Sequence, residues 1–174
     1  DQILEKLTQT KSPQPVLTVC KKIESSELTS KVLVLEKLQD PGNLGTLMRS
    51  ALAFGFDTIV LDNTVDIYND KVLRSTQGAI FKLNIVFLET IDFINSYPEY
   101  KIYGTTMNGE ALNAFEESHR TALILGNEGA GVTDEVLQKT YKNLTVKTTE
   151  VDSLNVGVAG SIIMHHIMNN TQNF

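Results

Sequence analysis

VLVLEKLQDPGNLGTLMR, residues 32–49, joins an apolar, β-branched run to a segment whose apolar residues have helical spacing. The linking Asp40-Pro41-Gly42-Asn43 is typical of a turn, because Pro fixes φ, Gly permits positive φ and Asn can cap a following helix. The stretch therefore predicts a strand, a tight turn and a helix. In an open α/β sheet, ligands and catalytic groups collect just beyond the carboxyl end of such a strand.

Two side chains in this stretch have strong hydrogen-bonding capacity. Asn43 is expected at the helix entrance, and Arg49 lies roughly 9 Å further along at about 1.5 Å per residue. An arginine among leucine, methionine and alanine must either extend into solvent or bind an anion. From this stretch alone, a solvated helix arginine is the favoured interpretation.

The composition is that of one globular domain. The chain has 174 residues, of which 41% are apolar and 21% charged, so its core needs neither disulfide nor metal. The single Cys20 favours a reducing compartment, and no run resembles a membrane span or a signal peptide, so we expect a cytoplasmic protein. The net charge of −6 argues against general electrostatic binding of nucleic acid, which would need a local basic patch or a further part of the protein.

Along the chain, strand-like and helix-like segments alternate. Residues 1–15 are typical of a linker between two domains, Val16–Cys20 is predicted to be a short strand, and Glu24–Lys31 a polar loop. The later alternation predicts an α/β fold with a mainly parallel sheet and helices on both faces. The predicted strands are 32–36, 58–61, 84–88, 101–106, 122–125 and 144–147, and the predicted helices are 44–54 (ending at Gly55), 70–81, 91–96, 133–139 and 155–168.

Two later strands are followed by turns of the same kind. GNEGAG, residues 126–131, follows strand 122–125, and its glycines would let backbone N–H groups approach a ligand before a helix that begins near Thr133. Glu128 is the only carboxylate within this loop. A third turn, 148–153, precedes Leu154-Asn155 and a long apolar segment. A parallel sheet would bring all three turns to one edge.

Several other kinds of site have weaker support. The glycine loop has the spacing G-x-x-G-x-G and comes late in the chain, which argues against a nicotinamide-dependent dehydrogenase. No Gly-Lys-Ser/Thr completes a P-loop. His165-His166 point about 100° apart on a helix and have no flanking carboxylate, so we do not expect a metal site. Gly160-Ser161-Ile162 lacks the second glycine of a nucleophile elbow.

Taken together, three stretches resemble the SpoU/TrmH branch of the SPOUT superfamily, which methylates the ribose 2′-hydroxyl of RNA with S-adenosylmethionine. DPGNLGTLMR (40–49) is similar to that family's first motif, LGNEG (125–129) to its second and SLNV (153–156) to its third. Their order and spacing also match, and KVLRSTQGA (71–79) resembles the family's connecting helix. The resemblance covers about residues 30–168.

The resemblance implies a parallel sheet whose C-terminal part is tied in a deep trefoil knot. It also implies a homodimer, in which the apolar helix 155–168 would have a use. Residues 1–20 resemble the end of the small ribosomal-protein-like, substrate-binding domain that often precedes the catalytic domain, with TKSPQ (10–14) at the junction. The chain would then consist of a remnant, 1–20, and a catalytic domain, 21–174, with most of the N-terminal domain missing.

The resemblance also implies the site residues. S-adenosylmethionine is expected to lie against the backbone of Thr105, Gly126, Val146 and Leu154. The positions that match catalytic and substrate-ordering residues are Asn43, Arg49, Glu128, Ser153 and Asn155. Arg49 would activate the hydroxyl or, because a guanidinium resists deprotonation, bind the substrate phosphate and stabilise the developing alkoxide. Val146-Lys147-Thr148 departs from the Ile-Pro-Met of many members, which bears on loop shape and cofactor affinity.

The resemblance therefore predicts an S-adenosylmethionine-dependent ribose 2′-O-methyltransferase that acts on ribosomal or transfer RNA. Its reaction is expected to be a direct in-line transfer that depends chiefly on holding the two reactants together. A non-catalytic RNA-binding or assembly protein that kept the fold is the main alternative, and the altered 146–148 loop is its only hint in the sequence. A nicotinamide-dependent dehydrogenase is the third hypothesis.

Overall fold

A computed structural model describes residues 6–8, 16–22 and 24–171. Its strands are β1 Lys31–Glu36, β2 Thr58–Asp62, β3 Asn84–Phe87, β4 Lys101–Ala111, β5 Thr121–Leu125 and β6 Lys142–Thr145. They form one sheet in the order β3-β2-β1-β5-β4-β6, in which every neighbouring pair is parallel. The predicted α/β fold with a parallel sheet is therefore confirmed.

Helices connect the strands. They are α1 Pro41–Ala53, α2 Asp70–Thr76, α3 Thr90–Ser96, α4 Asp134–Leu137 and α5 Val156–Asn169, with 3₁₀ turns at Ala79–Lys82 and Leu112–Ala114. None of the helices in the described residues is both long and apolar enough to cross a membrane.

Strand β1 lies inside the sheet and separates two apolar clusters. Successive side chains of a strand point to opposite faces, so Leu33 and Leu35 join one cluster while Val32 and Val34 join the other. The first cluster includes residues of α1, α2 and α5, and the second includes residues of α3 and α4. Both faces of the sheet are therefore covered by helices, as the alternating pattern predicts.

Helix α1 begins three residues earlier than predicted. Asp40 has an extended backbone, and its Oδ1 accepts the Asn43 N–H at 2.8 Å. Pro41 follows as the first helical residue, where its missing N–H leaves no hydrogen bond unmade. The cap is therefore Asp40 and not Asn43. Gly55, at φ 74, follows the last turn and ends the helix as predicted.

The predicted helix 70–81 is wrong in its second half. Helix α2 ends at Thr76, because Gln77 and Gly78 both adopt left-handed backbone conformations, at φ 49 and φ 83. Two such residues cannot continue a right-handed helix. The chain resumes in the 3₁₀ turn Ala79–Lys82, whose apolar residues prolong the helical periodicity across the break.

Four further segments differ from prediction. The segment 16–20 pairs with no strand and leaves Val16 and Val19 exposed, so the short strand predicted there is wrong. Helix α4 has four residues instead of seven, and β6 begins and ends two residues earlier than expected. Strand β4 is longer, because it pairs with Leu144 at Thr105 and again at Glu110, with 106–109 bulging out between them. Most of the predicted linker, 1–15, lies outside the described residues.

Helix α5 returns from the edge of the sheet to pack on α1 and β5. Asn155 caps it, since its Oδ1 accepts the N–H groups of Gly157 at 2.9 Å and Val158 at 3.3 Å. A Cβ on Gly160 would lie 2.6 Å from a methyl of Leu47 and 2.5 Å from one of Leu125. The glycine therefore lets α5 approach both neighbours closely.

Substituting Gly45 tests the packing of α1 against α2. A Cβ there would collide with Cβ of Ser75 and lie 3.0 Å from the backbone carbon of that residue. Backbone cannot rotate away, so an overpacking cost of about 1–3 kcal/mol should outweigh the gain of up to about 1 kcal/mol from replacing a helical glycine. We expect Gly45→Ala to lower the free energy of unfolding in urea by about 1–2 kcal/mol.

The matched control is Gly129→Ala, whose Cβ would have its nearest neighbour at 3.6 Å. It should change the unfolding free energy by less than about 0.5 kcal/mol. A Gly45→Ala protein as stable as the control would contradict the close packing of the two helices.

Candidate functional site

The carboxyl ends of β1, β5 and β6 lead into three turns at one edge of the sheet. Because every strand pair is parallel, residues 37–40, 126–131 and 146–155 all follow strands at the same edge. Hydrogen bonds join the first turn to the second, and the first turn of α1 to the residue that caps α5. The predicted meeting of three turns is therefore what the structure contains.

The side chain of Glu128 joins the second turn to the first. Its Oε1 accepts the Asp40 N–H at 2.8 Å and the Asn43 side-chain amide at 3.3 Å. Its Oε2 accepts the Gln39 N–H at 3.2 Å. One carboxylate thus satisfies two backbone N–H groups at the start of α1, where the helix dipole also favours a negative charge.

These contacts keep Glu128 ionised. Partial burial alone would raise the pKa of Glu128, but the hydrogen bonds from the backbone of Asp40 and Gln39 and from the Asn43 amide outweigh it. The net result is a pKa below the ordinary glutamate value, because all these donors stabilise the charged form. At neutral pH the group is therefore a fixed negative acceptor and not a proton donor.

A chain of side-chain amides continues from Glu128 to α5. The Asn155 Nδ2 donates to the Asn43 Oδ1 at 2.9 Å, while Asn43 Nδ2 points towards Glu128. The orientation of each amide is fixed by its neighbours, because Asn155 must turn its oxygen to the N–H groups of α5 and its nitrogen to Asn43. Asn43 must then present its nitrogen to the carboxylate. Every donor in the chain points towards Glu128, so the first turn of α1, the glycine loop and α5 are held as one unit.

The glycine loop is closed by its own hydrogen bonds. Asn127 and Gly131 exchange two backbone hydrogen bonds, and Asn127 Oδ1 accepts the N–H groups of Gly129 and Ala130. Four N–H groups of the loop are therefore already bonded within it and do not face a ligand. Gly126 has no room for a Cβ because the backbone of Gly131 lies against it. The loop closes on itself and presents the Glu128 side chain.

Arg49 lies on the exposed side of α1. Gly45 of the same helix contacts α2, and Ser50 Oγ lies 2.7 Å from Ser161 Oγ of α5. At 100° per residue, Arg49 is about 40° from Gly45 and 100° from Ser50, which places it between the two neighbouring helices. It is exposed and makes no hydrogen bond or ion pair with any other described residue. Its charge is available to an anion.

The predicted cofactor residues come from adjacent strands. Thr105 lies where β4 begins to bulge, and its Oγ1 donates to the Ile124 carbonyl at 3.0 Å. Gly126 follows β5, and Val146 follows β6 and is partly buried against the core. Leu154 is half-buried just before α5, and the neighbouring Ser153 is exposed. All of these lie at the same edge as the amide chain.

Two other helix entrances at this edge are already occupied by the protein's own carboxylates. Glu36, at the end of β1, accepts the N–H and hydroxyl of Thr133 at 2.9 and 2.8 Å. Asp62, at the end of β2, accepts the Thr90 N–H at 2.9 Å. Since both side chains are buried, they occupy the positions that a bound phosphate would need. This arrangement argues against the dinucleotide hypothesis.

The histidine pair belongs to the packing of α5. The His165 ring meets Phe54 edge-on at 5.4 Å, and the His166 ring meets Phe115 at 6.4 Å. Among the residues that the structure describes, no group of three or more His, Cys, Asp or Glu side chains is arranged to hold a metal ion.

Asp40 and Asn127 are site residues that sequence reasoning missed. Asp40 caps α1 with Oδ1, and Asn127 closes the glycine loop and donates to the Lys37 carbonyl at 3.0 Å. An aspartate directly before a proline is a recognisable helix-start signal, so the Asp40 cap could have been found. Nothing local reveals the contact of Asn127 with residue 37, because it joins two turns 90 residues apart.

Comparison with known proteins identifies the family. The model of the SpoU rRNA methylase family matches residues 30–165. The chain is 41% identical over 167 residues to the 23S rRNA (guanosine(2553)-2′-O)-methyltransferase RlmP of Bacillus subtilis, covering 92% of this chain and 67% of that protein. The chain belongs to the SpoU rRNA methylase family.

Solved structures agree with this assignment. A TrmH-family structure from Porphyromonas gingivalis has a TM-score of 0.82 at 27% identity, covering 94% of this chain and 69% of the other. An rRNA methyltransferase from Sinorhizobium meliloti, solved with AdoMet bound, has a TM-score of 0.77 at 26% identity, covering 86% and 60%. The predictions of an RNA methyltransferase and of S-adenosylmethionine as cofactor are therefore confirmed for the family, and the individual site residues stay predictions.

Two substitutions of Asn155 separate capping from the amide chain. Asn155→Ala removes both and should lower the unfolding free energy by about 1 kcal/mol. Asn155→Asp keeps an acceptor for the α5 N–H groups but replaces the donor to Asn43 by a negative charge. We expect urea unfolding close to wild type for Asn155→Asp, together with a loss of methyl transfer at least as large as that of Asn155→Ala. Wild-type activity in Asn155→Asp would contradict the role of the amide chain.

Proposed function

We propose that the chain transfers the methyl group of S-adenosylmethionine to a ribose 2′-hydroxyl of ribosomal RNA. The observation that carries the proposal is Arg49, which is exposed on α1 and paired with no other residue that the structure describes. The first turn of this helix is held by Glu128 and Asn155 through Asn43. The name of the Bacillus relative supports both the 2′-O position and ribosomal RNA. Transfer RNA is the alternative substrate.

The residues of this chain would act on the RNA side of the reaction. When bound, S-adenosylmethionine would supply a sulfonium-activated methyl group for transfer to the ribose oxygen, with the sulfur–methyl bond as the one that breaks. A guanidinium stays protonated at neutral pH, so Arg49 would bind the neighbouring phosphate and stabilise negative charge on the oxygen, with the hydroxyl proton passing to water. Asn43, Ser153 and Asn155 would form the wall that positions the ribose.

The carboxyl edge of β4, β5 and β6 suits the cofactor. The register of β4 with β5 ends at Tyr103, and the Thr105 hydroxyl beyond it donates to the Ile124 carbonyl of β5. Residues 106–109 bulge from β4, with Met107 67% exposed. An edge with interrupted pairing offers backbone donors and acceptors to a ligand. Thr105, Gly126, Val146 and Leu154 would hold the cofactor there, largely through their backbone.

The assembly that we propose follows the family resemblance. Val158 and Ile162, one helical turn apart on α5, are 49% and 39% exposed, and a second copy of the chain would cover them in a homodimer. The return of α5 to β5 and α1 supports a C-terminal trefoil knot. Residues 1–20 would be the end of a substrate-binding domain and 21–174 the catalytic domain, acting in the cytoplasm.

A non-catalytic RNA-binding protein is the rival proposal. Lys147 and Thr148, in the stretch that differs from the Ile-Pro-Met of many family members, are exposed, whereas Val146 contacts the core. Calorimetry with S-adenosylmethionine distinguishes the two functions. Binding at micromolar to millimolar concentration supports the enzyme, and no binding at millimolar concentration supports the rival.

Arg49→Ala tests the proposed catalytic role. Removing one charge-stabilising group typically lowers kcat by about 100- to 1,000-fold, and we expect a loss of this size on ribosomal RNA. The affinity for S-adenosylmethionine should stay within about twofold, because Arg49 is assigned to the RNA side. Radiolabelled methyl transfer followed by nucleoside analysis measures both the rate and the 2′-O position.

The control is Arg74→Ala, an exposed arginine of α2 that is already paired with Asp70. It should transfer methyl groups at nearly the wild-type rate. Normal turnover of Arg49→Ala, or a methylated base in place of a 2′-O-methylribose, would overturn the proposal.

A further inference from the structure

Lys71 lies beside the site and is held only loosely. It is the second residue of α2, and its Nζ lies 3.7 Å from Asp40 Oδ2. The Lys71 and Asp40 side chains are 58% and 45% exposed. An exposed ion pair of this length contributes about 0–1 kcal/mol, so the fold does not depend on it.

The packing of α2 on α1 places Lys71 and Arg49 along one groove. Asp40 meets Lys71, and five residues later Gly45 meets Ser75, so contacts advance along both helices in the same direction. Arg49 lies one turn beyond Gly45, and Lys71 lies one turn before Ser75. The two cations are therefore separated along the groove by about two helical turns, roughly 11 Å.

The charges around this groove would let Lys71 exchange Asp40 for an anion of the substrate. Asp40 Oδ1 is occupied by the cap of α1, whereas Oδ2 faces Lys71. Nearby Glu128 is saturated by its own donors, and Asp70 is paired with Arg74. A substrate anion that binds Lys71 would therefore have to displace Asp40.

We propose that Lys71 binds a phosphate of the RNA substrate, and that Asp40 holds its ammonium group in place until RNA arrives. This inference rests on the proposed function, because it assigns a second RNA contact to the same site. A chain with a net charge of −6 can bind a polyanion only through local cations, and Lys71 and Arg49 supply two of them at the mouth of the site. Arg49 positions the reacting nucleotide and Lys71 the strand beside it.

Salt-dependent binding to a 23S ribosomal RNA transcript measures the contact. We expect Lys71→Gln to reduce the slope of log Kobs against log[KCl] by about 1, as the loss of one phosphate contact requires. The matched control is Lys82→Gln, an exposed lysine in the 3₁₀ turn that precedes β3, at the opposite edge of the sheet. Its slope should equal that of the wild type. Equal slopes for Lys71→Gln and wild type would overturn the proposal.

Asp40→Asn tests whether Asp40 holds the Lys71 ammonium group until RNA binds. Asparagine is also a good helix cap, so α1 should remain intact while the competitor for Lys71 is removed. Asp40→Asn should increase the RNA affinity of the otherwise wild-type protein by a larger factor than it increases that of the Lys71→Gln protein. An equal gain in RNA affinity in both proteins would show that Asp40 acts only by repelling the RNA. That result would overturn the proposed exchange of Lys71 between Asp40 and a phosphate.

Methyl transfer separates failure of this inference from failure of the proposed function. With ribosomal RNA as substrate, Lys71→Gln should raise KM for RNA with kcat and cofactor affinity nearly unchanged. A wild-type protein that transfers no methyl group would contradict the proposed function, while the salt slopes would still decide whether Lys71 contacts RNA. An active wild type with an unchanged KM in Lys71→Gln would contradict this inference alone.

Discussion

The Glu128 carboxylate is the contact on which the arrangement of the site depends. It reaches from the loop after β5 to two backbone N–H groups and one side-chain amide after β1. Those groups lie nearly 90 residues away in the chain, so this ion, together with the Asn127 amide that donates to the Lys37 carbonyl, ties two turns into one surface. Because the donors keep the pKa of Glu128 low, the tie persists at neutral pH and weakens only in acid.

The amide chain connects the two turns to the C-terminal helix α5. Asn43 can face Glu128 correctly only while Asn155 faces Asn43, and Asn155 is oriented by the N–H groups that it caps. The capping of α5 and the orientation of Asn43 on α1 are thereby linked through one side chain. The groove that carries Arg49 and Lys71 begins at this point, so the order of the site extends to the surface proposed to bind RNA.

The sequence predicted most of this fold because its signals are local. Five of the six strands of the sheet were placed to within a few residues by apolar runs, while β4 runs five residues beyond its predicted end. The end of α2 at Gln77 was not predicted, because glutamine carries no signal for a left-handed backbone. The segment 16–20 has strand-like residues but no partner strand, which no local pattern records. The meeting of the three turns followed from sheet topology, whereas the hydrogen bonds among Asn43, Glu128 and Asn155 and the closure of the glycine loop by Asn127 required the structure.

A double-mutant cycle between Glu128 and Asn155 tests the central claim most directly. No hydrogen bond joins these two described side chains directly, and Asn43 links them by one hydrogen bond to each. With kcat/KM for methyl transfer as the readout, Glu128→Ala with Asn155→Ala should be little worse than the more damaging single variant, a coupling of at least about 1 kcal/mol. Losses that add to within about 0.4 kcal/mol would contradict a single, connected site.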